Sequence, residues 1–325
     1  MTLAVIGDIH LNKLSHRIPN FNQYVLKTFR STLDDVEKRG VSKVVLAGDI
    51  FDDPYPSQSS NTQFLDAITD YPDIEFLAIV GNHDYADSAT SSLIIANWTK
   101  KLKSNLRVVT KPEIMKVDGV RYELMPHPYV QDMSKKADFA IAHFAVNGAR
   151  GDNGYVVRTK NQPKGNFILG DFHTEQQGKV KGCIYDYVGS LSQLSWEERA
   201  KKSIIIVEDG EKHRRRVDLA YKLVKYIVSS DDDLDACKFE KDSFYYMKLK
   251  NGYVLPKGWV LDHPMVVKQS AVGKKKDARA ALLAEDSPTL LHPLANLEPY
   301  LLSKKIEPAI AQRAVTLANE LRIAS

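Results

Sequence analysis

Short apolar runs that break off at metal-competent residues constrain the fold of this chain more than any other feature. Leu3–Ile6 leads into Gly7-Asp8-Ile9-His10, and Val44–Ala47 into Gly48-Asp49-Ile50-Phe51-Asp52-Asp53. Ile74–Val80 leads into Gly81-Asn82-His83-Asp84, Phe139–His143 ends on a histidine, and Asn166–Leu169 leads into Gly170-Asp171-Phe172-His173. Apolar runs this short read as buried strands. Between the first of them, Phe21, Val25, Leu26, Leu33 and Val36 recur at helical spacing, with Gly40 as the stop. Phe64, Leu65 and Ile68 predict a second helix, and Leu93–Leu102 a third. Alternating strands and helices make an α/β layered domain, whose ligands bind at the C-terminal strand ends.

Further along, Arg107–Thr110, Ile114–Val117, Arg121–Met125, Phe139–His143, Asn166–Leu169, Ile184–Val188 and Ser203–Val207 read as strands with short connections. They predict a second sheet, and so two sheets sandwiched between helices in four layers, αββα. This larger part is expected to end at the basic cluster Lys212–Arg216, giving a first domain of 1–215. Residues 216–272 read as a small accessory module. Its strands are Leu223–Val228 and Phe244–Leu249, separated by an acidic loop at Asp231–Asp235 and continued by Val254, Trp259 and Val260. Gly273–Lys276 reads as a linker, and the remainder of 273–325 as a helical tail with Leu294, Leu297, Leu301 and Leu302 among its apolar positions.

Composition adds bounds. With 325 residues, 43% of them hydrophobic and 26% charged, the chain can bury a real core. A net charge of +4 neither demands nor excludes a polyanionic partner. Cys183 and Cys237 form no metal or redox motif, which fits a reducing cytoplasm. No run is long enough to cross a membrane, and Leu3–Ile6 lacks the basic leader of a signal peptide.

The spacing of the polar clusters has a chemical reason. In Asp8-Ile9-His10 the two polar side chains are two residues apart, so on extended backbone they share a face and reach one ion. Glycine ahead of each cluster permits the sharp turn that exposes them. Carboxylate, imidazole and amide oxygen together suit Mn²⁺ or Fe²⁺ better than Ca²⁺. Any one cluster alone is more often a solvated turn or helix cap than a site; their recurrence, each behind a strand, carries the argument.

As a set, these motifs resemble the calcineurin-like metallophosphoesterases, whose pattern is Asp-x-His, Gly-Asp-x-x-Asp, Gly-Asn-His-Asp/Glu, a single His, then Gly-His-x-His. The resemblance covers about residues 1–210. Within that superfamily the chain is similar to the SbcD-type DNA repair nucleases, in a short, phage-like form. Gly48-Asp49-Ile50-Phe51-Asp52, the Pro126-His127-Pro128-Tyr129 loop, Tyr187-Val188-Gly189-Ser190 and Trp196-Glu197-Glu198 carry that likeness.

The resemblance implies two divalent cations, with Mn²⁺ first and Mg²⁺ or Fe²⁺ as alternatives. Asp8, His10, Asp49 and His173 would hold one; Asn82, His143 and Asp171 would hold the other, with Asp49 bridging. Position 171 departs from the pattern, being Asp where the family has His. The extra negative charge is expected to favour harder ions. His83 would stabilise the transition state or protonate the leaving oxygen, oriented by Asp84 or Asp52. The implied substrate is DNA, cut as an exonuclease at duplex ends and as an endonuclease on single strands. The implied partners are an SMC-like ABC ATPase of the SbcC type, docked by the helical tail, and a second copy of the chain. Arg150, Arg158, Lys160, Lys164 and His127 are the expected DNA contacts, and Lys212–Arg216 is a further basic group that serves either DNA or an ordinary surface. The same metal core also serves phosphomonoesterases and phosphodiesterases on other substrates, and a non-catalytic binding scaffold is the third alternative.

Overall fold

A computed structural model describes residues 2–85, 105–151, 154–159, 162–256, 258–259, 263 and 265–272. The expected helix at Leu93–Leu102, Lys160, Val260, the linker at Gly273–Lys276 and the helical tail lie outside the described residues.

Strands β1 (Leu3–Ile6), β2 (Lys43–Leu46), β3 (Glu75–Ile79) and β4 (Leu106–Val109) are parallel neighbours. Strands β5 (Glu113–Val117), β6 (Val120–Met125), β7 (Phe139–His143), β8 (Gly165–Gly170), β9 (Gln176–Val180) and β10 (Cys183–Tyr187) form a second sheet, ordered β5-β6-β7-β8-β10-β9. The chain then returns to the first sheet as the antiparallel pair β11 (Lys202–Glu208) and β12 (Glu211–Val217), completing the order β12-β11-β1-β2-β3-β4.

Period-two alternation divides each strand between two cores. Leu3, Val5, Val45 and Leu77 of the first sheet meet Leu124, Ile141 and Ile168 of the second in the layer between them. The opposite face, with Ala4, Ile6, Val44, Leu46 and Phe76, packs on α1 (Phe21–Lys38) and α2 (Gln58–Thr69). The helical spacing seen in the sequence is the reason: Phe21, Val25, Leu26, Phe29, Leu33 and Val36 form the buried stripe of α1. Each such side chain contributes about 1.5–3 kcal/mol on full burial. Helix α1 ends at the expected place, with Gly40 at φ 71°. The outer face of the second sheet, through Ala140, Ala142, Phe167 and Leu169, is covered among the described residues by Phe144, Val146, Ala149 and Phe172 from strand-end loops.

Strands β9 and β12 are not legible as apolar runs. Their sequences, QQGKV and EKHRRRV, belong to sheet edges, where burial is partial. The boundary expected at 215 falls inside β12. The stretch read as an acidic loop is a short helix, α3 (Asp231–Asp235), capped by Ser230, whose hydroxyl accepts from Asp233 N. It links the parallel pair β13 (Lys222–Val228) and β14 (Ser243–Lys250), and β15 (Val266–Val272) completes a three-stranded sheet. Val254 and Trp259 lie outside these strands. Tyr221, Leu223 and Tyr246 enter the same core as α1, and the Tyr221 ring lies 5.3 Å from Phe21. Residues Met1–Ser270 form one compact unit and Ala271–Ser325 a second. Among the described residues no helix is long and apolar enough to cross a membrane.

Candidate metal centre

The pairing of β1 with β2 continues past the strand ends and sets the first two clusters side by side. Ile9 N and His10 N both donate to Asp49 O, Leu11 N to Ile50 O, and Asp52 N to Leu11 O. The third cluster is tied to the second by Asp84. This buried carboxylate accepts from Ile50 N, Phe51 N and Gly81 N at 3.1–3.3 Å. Burial and the nearby Asp49 charge push its pKa up to about 6 against those three N–H groups. With both oxygens committed to backbone, Asp84 braces the turn rather than orienting His83.

Two glycines are required by close approach. A Cβ on Gly48, already at φ 91°, would overlap the His143 ring, and one on Gly81 would overlap the Asp49 carboxylate. Three side chains of the site sit on unusual backbone themselves: His10, Asp49 and Asp171 have φ of 49°, 50° and 95°. Residues held in this region cluster at functional sites.

Asp49 is the common member of two groups whose ligand atoms lie within 4.8 Å of one another: His10, Asp49 and His83, and Asp8, Asp49 and His143. Its Oδ2 is 3.3 Å from His10 Nε2 and its Oδ1 is 3.4 Å from His143 Nε2. Burial would push the Asp49 carboxyl up, but the imidazoles of His143 and His10 hold it well below the usual carboxylate range. Burial likewise disfavours charge on His10 and His143, yet the facing carboxylates raise both.

Hydrogen bonds assign the imidazole tautomers. His143 Nδ1 donates to Ala47 O at 2.7 Å, and its Nε2 faces Asn82 Oδ1 at 2.8 Å and Asp171 Oδ1 at 3.9 Å. His10 Nδ1 is 3.1 Å from Asp52 Oδ1, and His173 Nδ1 is 3.0 Å from Glu198 Oε1. The two remaining nitrogens, His10 Nε2 and His173 Nε2, therefore face each other at 3.2 Å. Lone pairs and carboxylates that converge in this way need a shared positive charge, whether proton or cation. Asp8 adds to the case: it is fully buried, its Oδ1 accepts from Asp171 N at 3.0 Å, and its Oδ2 has no hydrogen-bond partner among the described residues. A buried carboxylate oxygen left in that state is costly. Carboxylate, imidazole and amide donors of this mixture fit divalent transition ions.

Asp171 lies beside His143, its Oδ1 3.9 Å from His143 Nε2, and its backbone N donates to Asp8 Oδ1. Burial pushes its carboxyl up to about 6, with His143 partly opposing. His83 is half-exposed at the edge of the cluster, its ring 4.8 Å from that of His10. Its backbone N donates to Asp49 Oδ1 at 2.8 Å and its Nδ1 to Asp52 O at 3.1 Å. Asp52 thus serves His83 through its carbonyl and His10 through its carboxylate, which also accepts from Lys13 Nζ at 2.6 Å. His127 borders the site: its ring meets Tyr85 at 5.3 Å, and burial followed by the charge of His143 lowers its pKa.

The basic residues divide. Arg150 and Arg158 are exposed on the segment that follows His143. Lys164, although exposed, precedes β8, so it stands a strand length from Asp171 at the other end. That separates it from the metal-competent cluster. The Lys212–Arg216 group is largely structural. Arg214 donates to Asp186, Ser203 Oγ, Val188 O and Tyr187 O, and both Arg214 and Arg216 pair with Glu175.

Sequence reasoning missed Glu198 and Lys202 as parts of the site. They lie on a loop and at a strand start with no motif spacing to the histidines, and only the fold brings them in. Tyr187, Gly189 and Ser190, noticed as a motif, have physical roles here. Tyr187 Oη accepts from Val146 N and donates to Phe144 O, holding the loop behind His143.

Comparison with known proteins agrees with this geometry. Residues 1–157 match the calcineurin-like phosphoesterase family. The chain is 21% identical over 244 residues to a DNA double-strand break repair protein Mre11 of Methanopyrus kandleri, covering 66% of this chain and 52% of that protein. It is 27% identical over 213 residues to the Mre11 of Halobacterium salinarum, covering 62% and 54%, and 27% identical over 228 residues to that of Haloferax volcanii, covering 65% and 50%. The chain thus spans about half the length of the curated relatives it matches. Residues 1–157 therefore carry a calcineurin-like phosphoesterase domain, of a family of hydrolases that use divalent metals.

Proposed function

We propose that this protein is a metal-dependent nuclease acting on DNA. The observation that supports it most is the cluster of Asp8, His10, Asp49 and His143, which Asn82 and Asp171 meet at His143 and His173 meets at His10, in a chain whose relatives are named for double-strand break repair. Asp8, His10, Asp49 and His173 would hold one divalent cation, and Asn82, His143 and Asp171 the other, with Asp49 shared. When bound, the cations supply positive charge to the phosphate and lower the pKa of water. Mn²⁺ is the first candidate, since the donor set mixes imidazole with three carboxylates.

The chain's own residues do the rest. Asp49 is held by His83 N, so the shared ligand keeps its orientation. His83, with Nδ1 committed to Asp52 O, keeps its other nitrogen for holding or passing a proton at the departing sugar oxygen. Arg150 and Arg158 are exposed beyond His143 and offer charge to the phosphate backbone. Exonuclease action on duplex ends, endonuclease action on single strands, an SMC-like ABC ATPase partner docked by the tail, and a homodimer belong to the same proposal.

The test is hydrolysis with Mn²⁺ of linear duplex DNA set against a small chromogenic phosphodiester, with and without ATP, on protein co-purified from its source. DNA cleavage that is lost in Asp49→Ala, together with recovery of an ATPase, is the expected result. Turnover of the small diester alone would point to a phosphodiesterase on another substrate, and no turnover of either to a binding scaffold.

A further inference from the structure

A pair of buried charges lies directly behind the site, in a segment beyond the 157 residues that match the family. Glu198 and Lys202 are 7% and 5% exposed. Lys202 Nζ donates to Glu198 Oε2 at 2.6 Å, Ser190 Oγ at 2.6 Å and His173 O at 3.1 Å, so all three of its protons are used. Glu198 Oε2 also accepts from Leu194 N at 3.1 Å. Among the described residues its other oxygen meets His173 Nδ1, at 3.0 Å. Burial would raise the Glu198 carboxyl, but His173 and Lys202 hold it below its ordinary value.

We propose that Glu198, anchored by Lys202, is a positioning residue that fixes the tautomer and ring plane of His173 for the metal. The inference rests on the reading of His173 as a ligand. An imidazole with Nδ1–H held by a carboxylate presents Nε2 as a lone pair of raised basicity. His173 Nε2 is the atom that meets His10 Nε2 at 3.2 Å. The same device stands on the other side, where Asp52 backs His10 and is paired with Lys13. His143 differs, since its Nδ1 donates to the neutral carbonyl of Ala47 at 2.7 Å, with the Asp8 carboxylate farther off at 3.8 Å. Lys202 also grips the His173 carbonyl, so the start of β11 fixes both the backbone and the ring of this histidine.

The experiment uses the full chain with Mn²⁺ as the probe. Glu198→Ala alone strands a buried lysine and risks unfolding, so the informative variant is the double change Glu198→Leu with Lys202→Met. Replacing a buried ion pair by apolar groups of similar volume is often neutral for stability. Glu198→Gln, made in the Lys202→Met background so that no buried cation is stranded and an acceptor for Nδ1–H is kept, serves as the rescue. Calorimetric titration of the double variant should show Mn²⁺ affinity weakened by about 10–100-fold with an unchanged melting temperature. Glu198→Gln should recover most of that loss. Nitrogen-15 spectra of the metal-free protein should show the His173 proton on Nδ1 in the wild type and a mixture of tautomers in the double variant. Wild-type affinity and an unchanged tautomer in the double variant, with affinity lost in His173→Ala, would overturn the positioning role and leave the site reading intact. Unchanged affinity in His173→Ala as well would overturn both.

Discussion

Asp49 and His83 are neighbours with different work. Asp49 is buried and shared between two ligand groups, whereas His83 is half-exposed and anchored through its backbone and Nδ1. Substituting Asp49→Ala should bring both Mn²⁺ binding and metal-dependent hydrolysis to background, as calorimetric titration and a nuclease assay will show. In His83→Ala, Mn²⁺ affinity should persist while turnover falls about 10²–10⁴-fold, the usual contribution of a positioned acid or base. An unchanged rate would remove His83 from the chemistry. Asp171 is the residue at which the chain departs from the motif pattern it otherwise resembles. Its carboxylate stands beside His143 Nε2 and its backbone N on Asp8, so Asp171→His should keep the centre assembled. The expected change is in ion preference, from Mg²⁺ or Mn²⁺ toward softer ions, read from activity and affinity across a metal series. An inert variant would show that Asp171 does something other than ligate.

Among the elements, β12 shows how a charged run acquires a structural role. Lys212, Arg214 and Arg216 alternate along the strand and reach Asp186 on β10 and Glu175 just ahead of β9. These pairs link β12, an edge strand of the first sheet, to the β9–β10 end of the second. The Asp186 side chain is only 2% exposed, so Arg214→Ala leaves a nearly buried carboxylate. Lys212 remains 3.4 Å away, which puts the expected cost at about 3 kcal/mol, the low end for breaking a buried pair. Urea unfolding measures it. DNA affinity and its salt dependence should be unchanged, because Arg214 is already engaged within the fold. A shallower salt slope in this variant would return β12 to the DNA-binding surface.

For the whole molecule, the open question was whether the segment after β12 is a separable module. The three-stranded sheet shares its core with α1: Tyr221 lies 5.3 Å from Phe21 and Phe244 lies 5.0 Å from Tyr24. Trp196 Nε1 also donates to Phe244 O at 3.3 Å. A chain truncated after Val217 would lose Tyr221, Leu223 and Tyr246 from the helix-side core and expose Trp196. Each large side chain removed from such a core costs about 3–5 kcal/mol. The truncated protein should therefore be insoluble or melt far below the full chain in a thermal scan. A soluble, metal-binding 1–217 fragment would show the module to be independent.

The strand-end clusters were legible from residue order alone, because buried strands leave apolar runs and metal sites leave polar residues at their ends. The helical stripe of α1 was legible for the same reason of periodicity. What the order of residues could not carry is everything decided by a partner distant in the chain. Strands β9 and β12 were invisible because edge strands bury little. Asp84 became a brace, and Glu198 and Lys202 became neighbours of His173, only through contacts across the fold. Local pattern specifies which face of an element is buried; which charged group meets which is settled by the packing of one sheet on another.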